Sequence, residues 1–132
     1  MNFSSLVLME RDKESNYFVR ELGSYEVPES AESITKFYFD GGKVKLYFDT
    51  NKDVEEWEYS AIFDLFNEAG FEEEGFDIKQ VDEEYNPTWV LEFSYIEEHK
   101  DMEEKLQKAC NLIEQEMFNV FEAIEGKEEE YK

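Results

Sequence analysis

The sequence has very little of the residue types that build nucleophilic or covalent sites. It contains one cysteine, Cys110, and one histidine, His99. A single cysteine cannot form a disulfide within the chain, and this usage fits a reducing cytoplasm. One histidine and one cysteine also provide few side chains that could act as a nucleophile or its general base. We therefore expect no catalytic residues and no cofactor, in a protein that is not an enzyme.

Long apolar runs and basic residues are also scarce. No segment approaches the roughly 20 apolar residues of a membrane span, and the N-terminus lacks the basic start of a signal peptide. We therefore expect a cytoplasmic protein with no membrane partner. Lys and Arg number 13 against 35 Asp and Glu, a formal net charge of -22. Because nucleic acids are bound through Lys and Arg that neutralise phosphates, we expect no nucleic-acid partner either.

The acidic charge is concentrated in one part of the chain. Residues 1–52 hold nine acids and seven bases, whereas residues 53–132 hold 26 acids and six bases. The net charges of the two parts are therefore -2 and -20. A field of this size attracts cations and basic proteins, so we expect a basic protein partner. A further alternative is a nucleic-acid mimic, whose carboxylates imitate phosphates to occupy a DNA-binding protein.

Aromatic residues are abundant, with 12 Phe, 8 Tyr and 2 Trp. Disordered chains are poor in aromatic residues, so this composition indicates a folded core despite the charge. A length of 132 residues fits one domain. We predict a single α+β domain over 1–125, followed by a flexible acidic tail over 126–132.

Hydrophobic periodicity predicts about six strands and two helices in the order β-β-β-β-α-β-β-α. We expect an antiparallel sheet with both helices packed on one face. Asp53 is predicted to cap the first helix and Gly70 to end it. The predicted strands are 3–11, 17–27, 34–39, 43–48, 76–81 and 88–95, and the predicted helices are 54–69 and 97–124.

The first predicted helix carries more apolar surface than a helix lying on a sheet requires. Its apolar residues span about 240° of the helix circumference. One interpretation is a helix buried between the sheet and the last helix. The alternative is an interface with a protein partner or with a second copy, because interface centres are rich in aromatic residues. The interaction candidates are Trp57, Tyr59, Phe63, Phe66 and, on the last helix, Phe118.

A weak metal-binding pattern lies before the first helix. Asp49, Asn51 and Asp53 stand at positions 1, 3 and 5 of a calcium-type loop, but Val54 and Ser60 replace its required Gly and Glu. The simpler interpretation is a strand-to-helix turn whose polar side chains cap the helix. A carboxylate-based small-ligand or divalent-metal binding domain, or a metal-dependent hydrolase, is therefore the alternative to a self-associating, non-catalytic interaction protein.

Two blocks of the sequence carry a family resemblance. VEEWEYSAIFDLF at 54–66 and VDEEYNPTW at 81–89 resemble short acidic proteins of clostridia-type bacteria, for which no function is known. The resemblance implies a bacterial cytoplasmic protein. It implies no activity, substrate or site residue.

Overall fold

The structure, a computed structural model, describes residues 3–132, and of Phe3 the backbone alone. Two one-turn 3-10 helices, Glu29–Ser33 and Glu128–Glu130, accompany the main elements. The strands are β1 (Phe3–Arg11), β2 (Phe18–Pro28), β3 (Ile34–Phe39), β4 (Val44–Asp49), β5 (Asp77–Val81) and β6 (Thr88–Phe93). The helices are α1 (Glu56–Leu65), α2 (Ala69–Glu73) and α3 (His99–Ala123).

The six strands form one sheet in the order β2-β1-β3-β4-β6-β5. The α+β class and a six-stranded sheet with helices packed on it are confirmed. The prediction of a purely antiparallel sheet was wrong, because β1 and β3 are parallel, with Met9 opposite Tyr38. After β2 the chain turns back through Glu29–Ser33 and crosses to the far side of β1. Strand β3 therefore runs in the same direction as β1.

The first helix is shorter than predicted and is capped differently. Its N-cap is Glu55, whose backbone N–H donates to the Glu58 carboxylate at 2.8 Å. The prediction of Asp53 as the cap was therefore wrong by two residues. Gly70 does not end this helix either, because α1 stops at Leu65 and Gly70 lies within α2. The short α1 allows Phe66 to leave the helical path and turn into the core, where it is 6% exposed.

The core lies between the helices and one face of the sheet, called the core face below. Alternate residues of β4 and β6 point to it, and the rings of Phe48 and Trp89 stack there at 5.4 Å. An apolar stripe along α3 is buried against the same face. Its members are Met102, Leu106, Ala109, Ile113, Met117, Val120 and Ile124.

Helix α3 begins beside β2 and ends shortly before a glycine. The His99 ring stacks on Tyr25 at 4.9 Å, and its Nε2 lies 2.9 Å from the carbonyl oxygen of Ser24. Gly126, with φ of +77°, lets the chain leave the helical path after Ala123. No helix within residues 3–132 is long and apolar enough to cross a membrane.

The last residues, predicted as a flexible acidic tail over 126–132, include the turn Glu128–Glu130. Lys132 pairs with Glu128 at 2.7 Å, and Tyr131 packs against the core. The flexibility of this segment, like the division at residue 125, stays a prediction.

Candidate functional site

The inward-facing aromatic residues Phe63 of α1 and Phe66 at its C-cap are covered by the chain itself. Phe66 stacks on Trp89 of β6, with 4.2 Å between the ring centroids. Phe63 meets the same indole edge-on at 5.1 Å and is half-buried. These contacts supply an internal partner for both rings. A role of either ring in self-association stays a prediction.

The two remaining aromatic candidates of α1 are half-buried and make polar contacts within the chain. The indole N–H of Trp57 donates to the Glu55 carboxylate at 2.9 Å. The Tyr59 hydroxyl donates to the carbonyl oxygen of Glu84 at 3.0 Å. Burial, and then the nearby carboxylates of Asp82 and Glu84, raise the pKa of Tyr59. Both polar groups are therefore satisfied without a partner protein.

The loop at residues 49–53, which resembles part of a calcium site, forms a turn. The Asp49 carboxylate accepts the backbone N–H of Asn51 at 2.8 Å, and Asn51 adopts φ of +56°. The side-chain amide of Asn86 donates to the Asp53 carboxylate at 3.5 Å. Within residues 3–132 no group of three or more His, Cys, Asp or Glu side chains is arranged to hold a metal ion. Asp49, Asn51 and Asp53 thus remain weak metal candidates.

Phe118 lies at a cleft of about 890 Å³ that we call the α3 cleft. One wall is the C-terminal half of α3, and the other is formed by the connection after β2 and the turn after β4. Its lining residues are Pro28, Glu29, Ser30, Ser33, Thr50, Asn51, Lys52, Glu114, Met117, Phe118, Phe121, Glu122 and Glu125. The cleft therefore unites two features that are separate in the sequence, the outer aromatic residue of α3 and the 49–53 turn.

The floor of the α3 cleft is apolar and its rim is acidic. Met117 and Phe118 are adjacent on α3, Phe121 lies one turn later, and Phe118 is 60% exposed. Four glutamates and a single basic residue, Lys52, also line the cleft. The Lys52 ammonium lies over the Phe121 ring at 4.0 Å, a cation–π contact. The lining carries a net formal charge of -3.

Helical geometry explains why this face of α3 is open. The buried stripe repeats every three or four residues, and Met117 belongs to it. Phe118 is one residue later and is rotated by about 100°, so it points away from the sheet. The hydroxyl oxygen of Ser30, across the cleft, is buried and has no hydrogen-bond partner among residues 3–132. The cleft thus offers both an apolar surface and an unused polar atom.

Sequence reasoning identified Phe118 as an interaction candidate, but it missed Phe121, Lys52 and the glutamates Glu114, Glu122 and Glu125. The glutamates carry no local signal, because acidic residues occur all along α3. Lys52 and Phe121 are 69 positions apart, and only the folded sheet brings them together. A pattern of short period cannot reveal such a contact.

The reactive side chains of the chain lie outside the cleft. Cys110 is fully buried in the core, and burial raises the pKa of its thiol to about 12. A neutral buried thiol is a poor nucleophile. His99 sits against β2 at the opposite end of α3. Neither residue lines the α3 cleft.

The chain belongs to the DUF6762 family, a family of unknown function, whose model matches residues 1–132. No curated protein and no solved structure matches the chain.

Proposed function

We propose that this protein is a non-catalytic bacterial interaction protein of the cytoplasm, and that its α3 cleft binds a basic, amphipathic segment of a partner protein. The observation that carries the proposal is the composition of the cleft, an apolar floor of three α3 side chains inside an acidic rim.

The apolar floor suits the apolar stripe of a helix. A partner helix of about 14 residues is about 21 Å long and presents apolar residues at every third or fourth position. Met117, Phe118 and Phe121 provide a matching row along α3. Helix-in-groove recognition uses this geometry, with a few apolar anchors entering a hydrophobic groove.

The acidic rim selects for basic flanks on that helix. Glu114, Glu122 and Glu125 are exposed and form no ion pair among the described residues. Lys or Arg beside the apolar stripe would meet these carboxylates at the edge of the cleft. The net charge of -22 adds long-range attraction, which accelerates encounter with a basic partner.

The non-catalytic part of the proposal is supported by the chemistry of the cleft lining. Among the described residues the lining includes no histidine and no cysteine, and its carboxylates are exposed on the rim. Catalytic carboxylates require burial or coupling that shifts their pKa.

The test is fluorescence anisotropy with a labelled helical peptide of about 14 residues, made of Leu on one face and Lys on the other. We expect a Kd of about 10 μM, near the weak end of specific binding. A scrambled peptide of the same composition should bind at least about tenfold more weakly, because it presents no apolar stripe.

Two double variants locate the binding site. Glu122→Gln with Glu125→Gln should weaken binding by about tenfold, whereas Glu72→Gln with Glu73→Gln on α2 should change it less than about twofold. Both pairs remove the same net charge, so the overall field is matched. Equal weakening by the two pairs, or equal binding of the ordered and scrambled peptides, would mean a diffuse ion atmosphere and would refute the proposal.

A further inference from the structure

The side of the sheet opposite the core face, called the open face below, carries no helix among those described in residues 3–132. Strand alternation places Lys45 and Tyr47 of β4 on it, since Val44, Leu46 and Phe48 are buried on the core face. The register of the neighbouring strands extends the face. Tyr38 lies opposite Lys45, and Val90 lies opposite Tyr47.

The open face is nearly neutral in a chain of net charge -22. Strand alternation and register assign four basic residues to it, Arg11, Lys36, Lys45 and Lys79. They assign five acidic residues to it, Glu21, Glu26, Asp49, Asp77 and Glu92. The net charge of the face is therefore -1, and the remaining -21 lies elsewhere on the molecule.

The centre of the open face is aromatic. The rings of Tyr38 and Tyr47 stack at 6.2 Å, with 20° between their planes. The Arg11 guanidinium lies over the Tyr38 ring at 4.8 Å, and the Lys36 ammonium lies over the Tyr47 ring at 5.3 Å. Burial, and then its hydrogen bond with Tyr38, raises the pKa of Tyr47 to about 12, so the Tyr47 hydroxyl is neutral at physiological pH. Tyr and Arg are enriched at the centres of protein interfaces.

The β1–β2 hairpin continues this surface with exposed apolar side chains. Of the seven large hydrophobic residues that are exposed within the described chain, four lie in or beside this hairpin, namely Val7, Tyr17, Phe18 and Val19. Val7 is on the open face, because Leu8 is buried in the core. Phe18 is opposite Arg11 on the same face. The apolar surface therefore runs from the tyrosine pair to the edge of the sheet.

We propose that the open face is an interface between two copies of the chain, which pack sheet against sheet through Val7, Phe18 and the tyrosine pair. Like charges keep the acidic sides of two copies apart, so the nearly neutral face is where they can meet. A net charge of -1 gives no attraction for nucleic acid, and a second copy presents the same neutral, apolar surface.

The size of the open face is sufficient for a dimer. Six strands about 4.8 Å apart and about five residues long cover roughly 500 Å² in projection. Two such faces would bury about 1,000 Å² of accessible surface, the lower limit for a specific interface. The α3 cleft lies on the helical side of the sheet, so both clefts of the dimer stay accessible. The dimer and the peptide binding proposed above can therefore fail independently.

The test is sedimentation velocity with the full chain, from about 1 to 100 μM, the range in which an interface of this size associates. We expect a species of twice the 15.8 kDa chain mass at the upper concentrations. Raising the salt concentration should keep or strengthen the dimer, because salt screens the repulsion between the two acidic bodies. A monomer throughout, or a dimer that salt dissociates, would overturn the proposal.

Two matched double variants locate the interface. Val7→Lys with Phe18→Lys adds two like charges to the open face and should weaken the dimer at least about tenfold. Leu65→Lys with Tyr85→Lys alters two exposed large hydrophobic residues outside that face and should leave the dimer unchanged. Circular dichroism checks folding, and Lys36→Glu replaces the first variant if it does not fold. A dimer that survives the open-face variants, or that the control pair disrupts, would contradict the proposal.

Discussion

Two helices of this protein present aromatic residues that look alike in the sequence and differ in the structure. On α1 and at its C-cap, Phe63 and Phe66 contact Trp89 of β6 and have their partners within the chain. On α3, Phe118 points away from the sheet and is 60% exposed at an acidic cleft. The aromatic content of a helix therefore does not decide whether it forms core or interface.

The position of each helix on the sheet explains the difference. Helix α1 lies over β6, where the indole of Trp89 contacts the rings of Phe63 and Phe66. Helix α3 is long enough that its last turns pass beside the turn after β4, and a cleft opens between them.

The largest effect is expected for truncation of the covered ring. Phe66→Ala removes the stack with Trp89 and contacts with Phe48, and should lower the free energy of unfolding by about 3–5 kcal/mol. Phe118→Ala should change it by less than about 0.5 kcal/mol, since an exposed ring has little packing to lose. Urea unfolding followed by tryptophan fluorescence measures both. Similar losses for the two variants would contradict the contrast between the helices.

A second prediction contrasts the inner and outer faces of α3. Cys110 is buried with a thiol pKa of about 12, so at pH 8 very little thiolate is present in the folded protein. Labelling by a disulfide reagent should be at least about a hundredfold slower than in guanidinium chloride, where the pKa returns to about 8.5.

The matched control moves the thiol by one residue. Cys110→Ala with Asn111→Cys places it on the exposed side of α3, where labelling in buffer should be as fast as in denaturant. Rapid labelling of Cys110 in the native protein would mean that the inner face of α3 is accessible.

The sequence predicts those parts of the molecule that depend on local periodicity. Alternation in β4 and the stripe on α3 identify Leu46, Phe48 and Ile113 as core residues, and all three are fully buried. The early end of α1 could not be predicted, because the helical pattern continues through Phe66. Outside the helix this ring stacks on Trp89, a long-range contact that no local pattern reveals.

The parallel pairing of β1 with β3 has no local signal either. A third strand can join a two-stranded hairpin at either edge, and both choices bury the same alternating residues. The candidate site depends on the same long-range arrangement. Phe118 and Asn51 meet at the α3 cleft although 67 positions separate them in the sequence.

The smallest effect is expected for Lys52, the one basic residue that lines the α3 cleft among the described residues. Its substitution tests whether the cleft, unlike the covered ring of Phe66, is open to a cationic partner. Lys52 covers part of Phe121 and carries the same sign of charge as the proposed ligand. Lys52→Gln should therefore strengthen binding of the Leu/Lys peptide by about two- to threefold at low salt. Lys100→Gln, at the other end of α3, makes the same change in net charge and should have no such effect. Weaker binding by Lys52→Gln would contradict this prediction, because it would mean that the Lys52 contact with the Phe121 ring supports the cleft more than its charge repels the peptide.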